Sequence, residues 1–220
     1  MYSDIFIPTY VISLKERTER LAYALQQFEG KSEFEVHPIE ACTHRIGAVG
    51  LWRSIVKIIN LVKDVEDDIV IICEDDHTFT EYYDRDRLIQ NIIDASTQGV
   101  LLLSGGIGGF GTAIPITANL YWVDWMWSTQ FIVLYRPLFQ KILDYDFKDT
   151  DTADGVLSEL TTHKMVIYPF ISIQKDFGYS DVTQSNNEIK GKVADLFQKS
   201  TEKMSFYQRG YLKYLSKETI

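Results

Sequence analysis

The chain has 220 residues, 45% of them apolar and 24% charged, which is typical of a globular protein and excludes extensive intrinsic disorder. Its formal net charge of −9 argues against a general nucleic-acid-binding protein, which would carry a basic surface. No apolar run approaches the roughly 20 residues that cross a membrane, and two cysteines without a signal-like start favour a reducing, cytoplasmic setting.

Strand and helix patterns alternate along most of the chain. Short β-branched runs predict strands, and apolar residues spaced three and four apart predict helices. Ser13 and Glu16 have the spacing of a capping box, which predicts that the first helix begins there. The predicted strands are 5–14, 34–39, 69–73, 100–103, 131–135 and 165–168, and the predicted helices are one with Leu21, Leu25 and Phe28 inside, 47–62, 84–95, one opened by Pro137, and 154–162.

This alternation predicts an α/β fold with a mostly parallel central sheet flanked by helices. We expect one domain over residues 1–184 and a C-terminal helical appendage over 185–220. The appendage has seven basic and four acidic residues, a net charge of +3, which leaves −12 for the first 184 residues. Its apolar spacing predicts one amphipathic helix, suited to docking on the domain, to self-association through 190–216, or to peripheral contact with the inner face of a membrane.

Three carboxylates, Glu74, Asp75 and Asp76, directly follow the buried run 69–73. In open α/β sheets, ligands bind at the carboxyl ends of the strands. In an extended segment Glu74 and Asp76 would face the same way, with Asp75 opposite. Two carboxylates on one side suit Mg²⁺ or Mn²⁺. A solvated acidic turn is the alternative interpretation.

Two histidines are candidate metal ligands. His77 adjoins the carboxylates, but in an extended segment it faces away from Asp76, so we favour a surface or hydrogen-bonding role. His163 lies near the predicted end of a helix, where a cation complementing the helix dipole explains it as well as a ligand role does.

Several short motifs occur in order between residues 5 and 183. They are Tyr-Val-Ile-Ser-Leu-Lys-Glu-Arg-Thr-Glu-Arg at 10–20, Glu-Ala at 40–41 with Gly-Ala-Val-Gly-Leu-Trp-Arg-Ser at 47–54, Ile-Ile-Cys-Glu-Asp-Asp at 71–76, the strand 128–135, Asp-Thr-Ala-Asp at 151–154, the segment 169–174 and Ser-Asp-Val at 180–182. Their shared order resembles family 25 glycosyltransferases, the bacterial lipooligosaccharide galactosyltransferase group, which has a GT-A type nucleotide-sugar fold. Two features depart from that family: Ser54 is followed by Ile55 where the family usually carries histidine, and the glycine-rich stretch 105–111 has no counterpart.

The resemblance implies transfer of a sugar from a nucleotide diphosphate donor, UDP-linked, to a hydroxyl of a cell-surface glycan or glycolipid. The implied reaction inverts the anomeric centre and depends on Mn²⁺ or Mg²⁺. Asp76 would be the main metal ligand, and Glu74 would share the metal or contact the ribose. Asp154 is the first choice for the general base and Asp151 the second. Capping of the predicted helix is the alternative role for both aspartates.

A further set of residues is expected to contact the donor. Arg17 and Arg20 share a helix face and suit phosphate oxygens, although a solvated basic face is an equal alternative. Asp181 has turn formation as its alternative. The complete predicted donor-binding set is Arg17, Arg20, Glu74, Asp75, Ser104, Gly105, Gln174 and Asp181.

Two other features leave alternatives open. The glycine-rich loop 104–111 could bring backbone N–H groups close to a phosphate, but an exposed flap is the favoured interpretation. Trp122, Trp125 and Trp127 would either stack on a sugar or nucleobase or form part of an aromatic core. A nucleotidyltransferase and a non-catalytic nucleotide- or sugar-binding module are the competing functions.

Overall fold

The computed structural model describes residues 5–178 and 191–216. Ten strands lie in these ranges, and the predicted strands are all among them. The strands are β1 (Ile7–Ser13), β2 (Phe34–Glu40), β3 (Ile69–Glu74), β4 (His77–Phe79), β5 (Leu102–Ser104), β6 (Ala113–Pro115), β7 (Leu120–Val123), β8 (Phe131–Tyr135), β9 (Lys164–Ile167) and β10 (Ser172–Gln174).

Six α-helices lie in the same ranges. Five of them connect strands, and the sixth closes the chain. They are α1 (Thr18–Gln27), α2 (Gly47–Val62), α3 (Arg85–Thr97), α4 (Phe139–Asp144), α5 (Ala153–Leu160) and α6 (Lys192–Leu215). The turn that Pro137 opens is a short 3₁₀ segment, Arg136–Leu138, which leads into α4.

Eight strands form the central sheet in the order β2-β1-β3-β8-β5-β9-β7-β6. All but β8 and β7 run in the same direction, because these two pair antiparallel with both of their neighbours. The predicted α/β class with a mostly parallel sheet is therefore confirmed. β10 and β4 form a separate antiparallel pair beside it.

The sheet is buried on both faces. Along β3, Val70 and Ile72 belong to one apolar cluster and Ile71 and Cys73 to the other, as the alternation of side chains along a strand requires. Helices α2, α4, α5 and α6 cover the first face, and α1 and α3 cover the second. This double covering explains why β3 is a continuous apolar run.

Helix α6 docks on the body of the domain through its first half. Phe197 and Met204 are buried in the larger core cluster, and Lys203 Nζ donates hydrogen bonds to the carbonyl oxygens of Phe110 (2.7 Å) and Gly111 (2.5 Å). Towards its end the helix exposes Leu212 and Leu215. No helix among the described residues has the length and apolar content needed to span a bilayer.

The predicted capping box is wrong. Helix α1 begins at Thr18, and its N-cap, Arg17, makes no side-chain capping bond. Ser13 is instead the last residue of β1, and its hydroxyl donates to Asp75 Oδ2 at 2.8 Å. The serine serves a long-range contact at the sheet edge, which a local pattern of spacing does not reveal.

Candidate functional site

The carboxyl ends of β1 and β3 and the amino end of β8 meet at one edge of the sheet. β1 ends at Ser13 and β3 at Glu74, and these two strands pair in parallel with Ile12 opposite Glu74. β8 runs the other way, so residues 128–130 precede it at the same edge, next to the end of β3. Glu74, Asp75 and Asp76, here called the carboxylate turn, lie at this edge, where ligands of α/β proteins bind.

Asp75 is the most firmly held member of the carboxylate turn. It is only 3% exposed and accepts from Ser13 Oγ. Its Oδ1 lies 2.5 Å from Arg20 Nη2 and 3.6 Å from Arg17 Nη1. Both arginines predicted to bind the donor are therefore at the site, and in this structure they pair with the carboxylates.

Asp76 shares Arg20 with Asp75, since its Oδ2 lies 3.0 Å from the same Nη2 atom. Asp75 and Asp76 form a two-residue turn between β3 and β4, so the strand alternation that was expected to separate them does not apply. Asp76 Oδ1 is buried and accepts no hydrogen bond from the described residues. Burial raises the pKa of Asp76 to about 6, although the Arg20 guanidinium opposes the shift.

Glu74 is held from the β8 side of the turn. Its Oε1 accepts a hydrogen bond from Thr129 Oγ1 at 2.7 Å, just before β8. Burial, followed by the charge of Asp76, raises the pKa of Glu74 to about 8, while the Thr129 hydrogen bond acts in the opposite direction. Glu74 is therefore a carboxyl group that the metal-free site holds partly protonated near neutral pH.

Replacing Glu74 with glutamine tests the raised pKa of this carboxyl group in the metal-free protein. Between about pH 4.5 and pH 8 the folded protein binds a proton at Glu74 that the unfolded chain releases, so this group lowers the free energy of unfolding as pH rises. Glutamine keeps an oxygen for Thr129 but never ionises. In chelator-treated samples, denaturant titrations should find Glu74→Gln close to wild type at pH 5 and more stable than wild type at pH 8. If the difference in stability between Glu74→Gln and wild type did not change with pH, the pKa of Glu74 would not be raised.

The donor atoms of the turn fit a divalent cation. Three carboxylates face two guanidinium groups, which leaves one negative charge uncompensated when all are ionised. Mg²⁺ is commonly held by one or two carboxylates together with water and substrate phosphates, and Asp76 Oδ1 and Glu74 are the available oxygens. Within 5–178 and 191–216, no three His, Cys, Asp or Glu side chains converge into a complete protein-only metal site.

Asp154 lies on the β8 side of the site. It is in the first turn of α5, behind the N-cap Thr152, and its Oδ2 accepts from the backbone N–H of Ser128 at 3.0 Å. Ser128 has a φ of 94°, a left-handed conformation that is unusual for a residue with a Cβ. Asp154 therefore holds a strained residue that is directly followed by Thr129, the partner of Glu74.

Asp151 is in a different position. Its Oδ2 accepts from the backbone N–H of Lys148 at 2.8 Å and from the Tyr145 hydroxyl at 3.3 Å. Tyr145 packs in turn against Trp52 of α2. The contacts of Asp151 hold the 145–151 loop, and no contact joins it to the carboxylate turn among the described residues.

The glycine-rich loop is interior. Ser104 is fully buried with its hydroxyl donated to the Gly106 carbonyl oxygen at 2.9 Å, and the Gly105 backbone bonds to Phe131 and Ser172. A Cβ on Gly105 would come within 2.7 Å of the Phe131 ring. The stretch is packed rather than an exposed flap. Ser104 and Gly105 present no free group to a donor in this conformation, and their predicted role stays a prediction.

Gly106 should not tolerate a side chain. Its Cβ would lie 2.0 Å from the Ser172 carbonyl oxygen, a backbone atom that cannot move aside easily. We expect Gly106→Ala to lower the free energy of unfolding by about 1–3 kcal/mol or more. Gly210→Ala in α6 is the matched control, because nothing lies within 4 Å of its Cβ and alanine favours a helix by about 1 kcal/mol. Chemical denaturation measures both, and equal effects would show that close packing does not explain the loop.

The remaining predicted residues are spread over the region. Gln174 ends β10 opposite His77, and the next residue, Lys175, donates its backbone N–H to the Asp76 carbonyl oxygen at 2.8 Å. Asp181 lies outside the described residues. Gln174 is thus beside the carboxylate turn, although no side-chain contact to it is seen.

The structure places the two candidate histidines in different surroundings. His77 is fully buried, and its Nδ1 lies 2.8 Å from Ser172 Oγ. Burial lowers the pKa of His77 to about 3, with the charge of Lys31 adding to the effect. Its predicted hydrogen-bonding role is confirmed, whereas a surface location is wrong. His163 is exposed at the amino end of β9, at the opposite edge of the sheet.

Comparison with known proteins identifies a fold but no family. No protein-family model matches the chain. No curated protein is similar to it in sequence. The structure is similar to A197 from STIV, with a TM-score of 0.55 and 12% sequence identity over 78% of this chain and 86% of that one. The likeness to A197 shows a shared fold, and the resemblance to family 25 glycosyltransferases stays an interpretation of the motifs.

Two further solved structures overlap more loosely. One is HddC from Yersinia pseudotuberculosis, with a TM-score of 0.43 and 13% identity over 90% of this chain and 78% of that one. The other is an apo UDP-glucose pyrophosphorylase, with a TM-score of 0.46 and 12% identity over 89% of this chain and 82% of that one. We draw no functional argument from either of them.

Residues that the sequence did not single out complete the site. Ser13 and Thr129 orient the carboxylates, and each is a small hydroxyl residue at the end or start of a strand at the same edge. Lys175 and Phe177 form a wall with Arg20: the guanidinium lies 4.8 Å from the Phe177 ring centre and the Lys175 ammonium 4.9 Å from it. Polar residues flanking predicted strands were the available signal.

Proposed function

We propose that this protein is an inverting, GT-A type glycosyltransferase that moves a sugar from a UDP-linked donor to a hydroxyl of a cell-surface glycan. The observation that carries the proposal is the pair of contacts made by two consecutive residues. Ser128 N–H donates to Asp154 and Thr129 Oγ1 donates to Glu74. A candidate base and a candidate donor-side carboxylate are therefore held on the same stretch of backbone, at the edge where α/β proteins bind ligands.

The donor would occupy the α1 side of the carboxylate turn. Arg17, Arg20 and Lys175 provide positive charge beside Asp76, and guanidinium groups match phosphate oxygens in shape and charge. Phe177 and Tyr23 meet edge to face at 5.6 Å and supply apolar surface next to these cations. This combination suits a nucleoside diphosphate, which has a flat base and a polyanionic end.

Asp76 and Glu74 would hold a Mn²⁺ or Mg²⁺ ion. When bound, such an ion neutralises charge that develops on the leaving diphosphate. The buried Asp76 Oδ1, which accepts no hydrogen bond from the described residues, and the raised pKa of both carboxyl groups support this assignment. Arg20 would stay as the link that keeps Asp75 and Asp76 together.

In the proposed reaction, the acceptor oxygen attacks the anomeric carbon from the β8 side. The bond from that carbon to the diphosphate oxygen breaks, and its electron pair leaves with the nucleoside diphosphate. The hydroxyl proton passes to Asp154. Each of its carboxylate oxygens accepts one backbone N–H, from Ser128 and from Gly155, and has a second lone pair for the proton.

The test is release of nucleoside diphosphate from a panel of nucleotide sugars, with Mn²⁺ or Mg²⁺ and with lactose or lipooligosaccharide as acceptor. Release that chelation abolishes and Asp76→Asn lowers by about 10²-fold or more would support the proposal. Pyrophosphate release from UTP and a sugar 1-phosphate would instead indicate a nucleotidyltransferase. Binding of UDP without turnover of any donor would indicate a binding module.

We also propose that the C-terminal end of α6 contacts a membrane or a second copy of the chain. Between Lys203 and Leu215 the helix has no acidic residue, carries Arg209 and Lys213, and exposes Leu212 and Leu215. Flotation with anionic vesicles and light scattering of the free protein distinguish the two partners.

A further inference from the structure

Two tryptophans lie close together beside the candidate site. The ring centres of Trp125 and Trp127 are 4.9 Å apart and the rings are inclined at 48°. Trp127 is 51% exposed, an unusual state for so large an apolar side chain. Trp122, the third tryptophan of this stretch, points elsewhere and donates its indole N–H to the Thr162 carbonyl oxygen at 2.7 Å.

The second half of the glycine-rich loop supports this pair. A Cβ on Gly109 would lie 2.6 Å from Trp127 Cε3, and one on Gly111 would lie 2.7 Å from Trp125 Nε1, so both rings rest against glycine backbone. Trp127 also exchanges backbone hydrogen bonds with the loop, giving its N–H to Gly109 and receiving one from Gly108. The glycines therefore present the two rings in a fixed position.

A carboxylate lies next to the rings. Asp124 Oδ1 accepts the backbone N–H groups of Gly111, Thr112 and Trp125 at 3.1, 2.9 and 2.8 Å. Although burial opposes it, these hydrogen bonds lower the pKa of Asp124 below its usual value, so the group stays ionised. No described residue hydrogen bonds to the other oxygen, Oδ2, which leaves an acceptor beside the rings.

The rings and the candidate base share one backbone segment. Trp127, Ser128 and Thr129, here called the 127–129 segment, are consecutive, so Trp127 lies at most about 7 Å of extended chain from the residue that holds Glu74. Ser128 contacts Asp154. Arg17 and Arg20 contact the carboxylate turn from its other side, because they are the N-cap and a residue of α1. A ligand on the tryptophans would thus approach from the side of the base, as an acceptor must.

We propose that Trp125 and Trp127 form a platform on which a pyranose ring of the acceptor stacks, with Asp124 accepting one of its hydroxyl groups. The inference rests on the proposed function, because it assigns the acceptor to this side. Sugar rings offer a face of C–H groups to an aromatic ring and a rim of hydroxyl donors. A carboxylate suits that rim and repels phosphates, so the platform fits a neutral sugar rather than a nucleotide.

Intrinsic tryptophan fluorescence gives a direct test without turnover. The wild type is titrated with the methyl β-D-pyranosides of galactose, glucose and N-acetylglucosamine and with lactose. We expect a saturable change in fluorescence with at least one of them. The affinity obtained from the titration should be roughly tenfold or more weaker in Trp127→Ala and largely kept in Trp127→Phe, which retains a ring, with the remaining tryptophans as reporters. Phe206→Ala is the matched control, because Phe206 is also a large exposed aromatic residue, 67% exposed on α6. Circular dichroism checks the fold of each variant.

Three results would overturn the platform. They are no saturable fluorescence change with any of the four probes, an affinity that Trp127→Ala leaves intact, or equal losses of affinity in the alanine and phenylalanine variants. Failure of the proposed function has a different signature. If no nucleotide sugar is turned over but the Trp127-dependent glycoside binding is present, the platform stands and the transferase does not. If donors are turned over, and Trp127→Ala changes neither the KM for lactose nor the glycoside affinity measured by fluorescence, the transferase stands and the platform does not.

Discussion

Asp154→Asn is expected to lower the rate of sugar transfer by about 10²–10⁴-fold, the usual contribution of a positioned general base. Asparagine is the same size and keeps one oxygen that can accept the Ser128 N–H, so the 127–129 segment keeps a restraint. The amide cannot take the acceptor's proton at neutral pH. The binding of UDP, which would occur across the carboxylate turn, should change little, and calorimetry with UDP separates this from a loss of fold.

Asp151→Asn is the control for this experiment. Asp151 holds the 145–151 loop through Lys148 and Tyr145, so its replacement should cost stability without a comparable loss of rate. If Asp151→Asn abolished transfer and Asp154→Asn did not, the base would be Asp151. If neither variant lost more than about tenfold, neither aspartate would be the base.

Arg20→Met should lower the free energy of unfolding by about 3–5 kcal/mol, because it removes one partner from a buried ion cluster. Arg20 is 6% exposed, and its Nη2 lies 2.5 Å from Asp75 and 3.0 Å from Asp76. Without it, two buried carboxylates lose their nearest positive charge. The triple variant Arg20→Met, Asp75→Asn, Asp76→Asn should recover part of the loss, since neither residue 75 nor residue 76 then carries a negative charge.

Arg45→Met is the matched control. Arg45 pairs with Asp149 at 2.9 Å, but both side chains are largely exposed, so the expected cost is below about 1 kcal/mol. Urea titrations of the four proteins measure these differences. Similar losses in Arg20→Met and Arg45→Met would show that the Arg20 cluster is not a determinant of stability.

Elements with a strong periodic pattern could be predicted closely. Helix α2 has the predicted bounds, 47–62, because one broad face of it is buried along the whole length. Strand β3 was recognisable as a continuous apolar run. β4, β6, β7 and β10 were not predicted, since three or four residues carry too little pattern. The reversed direction of β8 was also hidden, because long-range connections set it rather than composition.

The site was only partly predictable for a similar reason. Glu74 and Asp76 could be placed at the site because they directly follow a buried strand. Arg17 and Arg20 could be placed together because they are three residues apart in a predicted helix. Arg20 in fact pairs with Asp75 and Asp76, which are 55 and 56 positions away in the chain, so this contact depends on how β1 and β3 pair. The only signal for Thr129 was its position before a predicted strand, and that position does not indicate a contact with a carboxylate on another strand.

The 127–129 segment joins the two halves of the candidate site physically, which would couple ligand binding at one half to ligand binding at the other. One end of it carries an exposed indole ring, its middle residue has a backbone conformation held by Asp154, and its last residue fixes Glu74. A ligand that shifts this backbone at the ring would be expected to alter the hydrogen bond from Thr129 to Glu74. Coupling of this kind is reciprocal: the factor by which an occupied ring alters affinity at the carboxylates equals the factor in the other direction. The order in which the two substrates bind would therefore affect the rates of binding. The free energy of the complex with both substrates bound would be the same for either order.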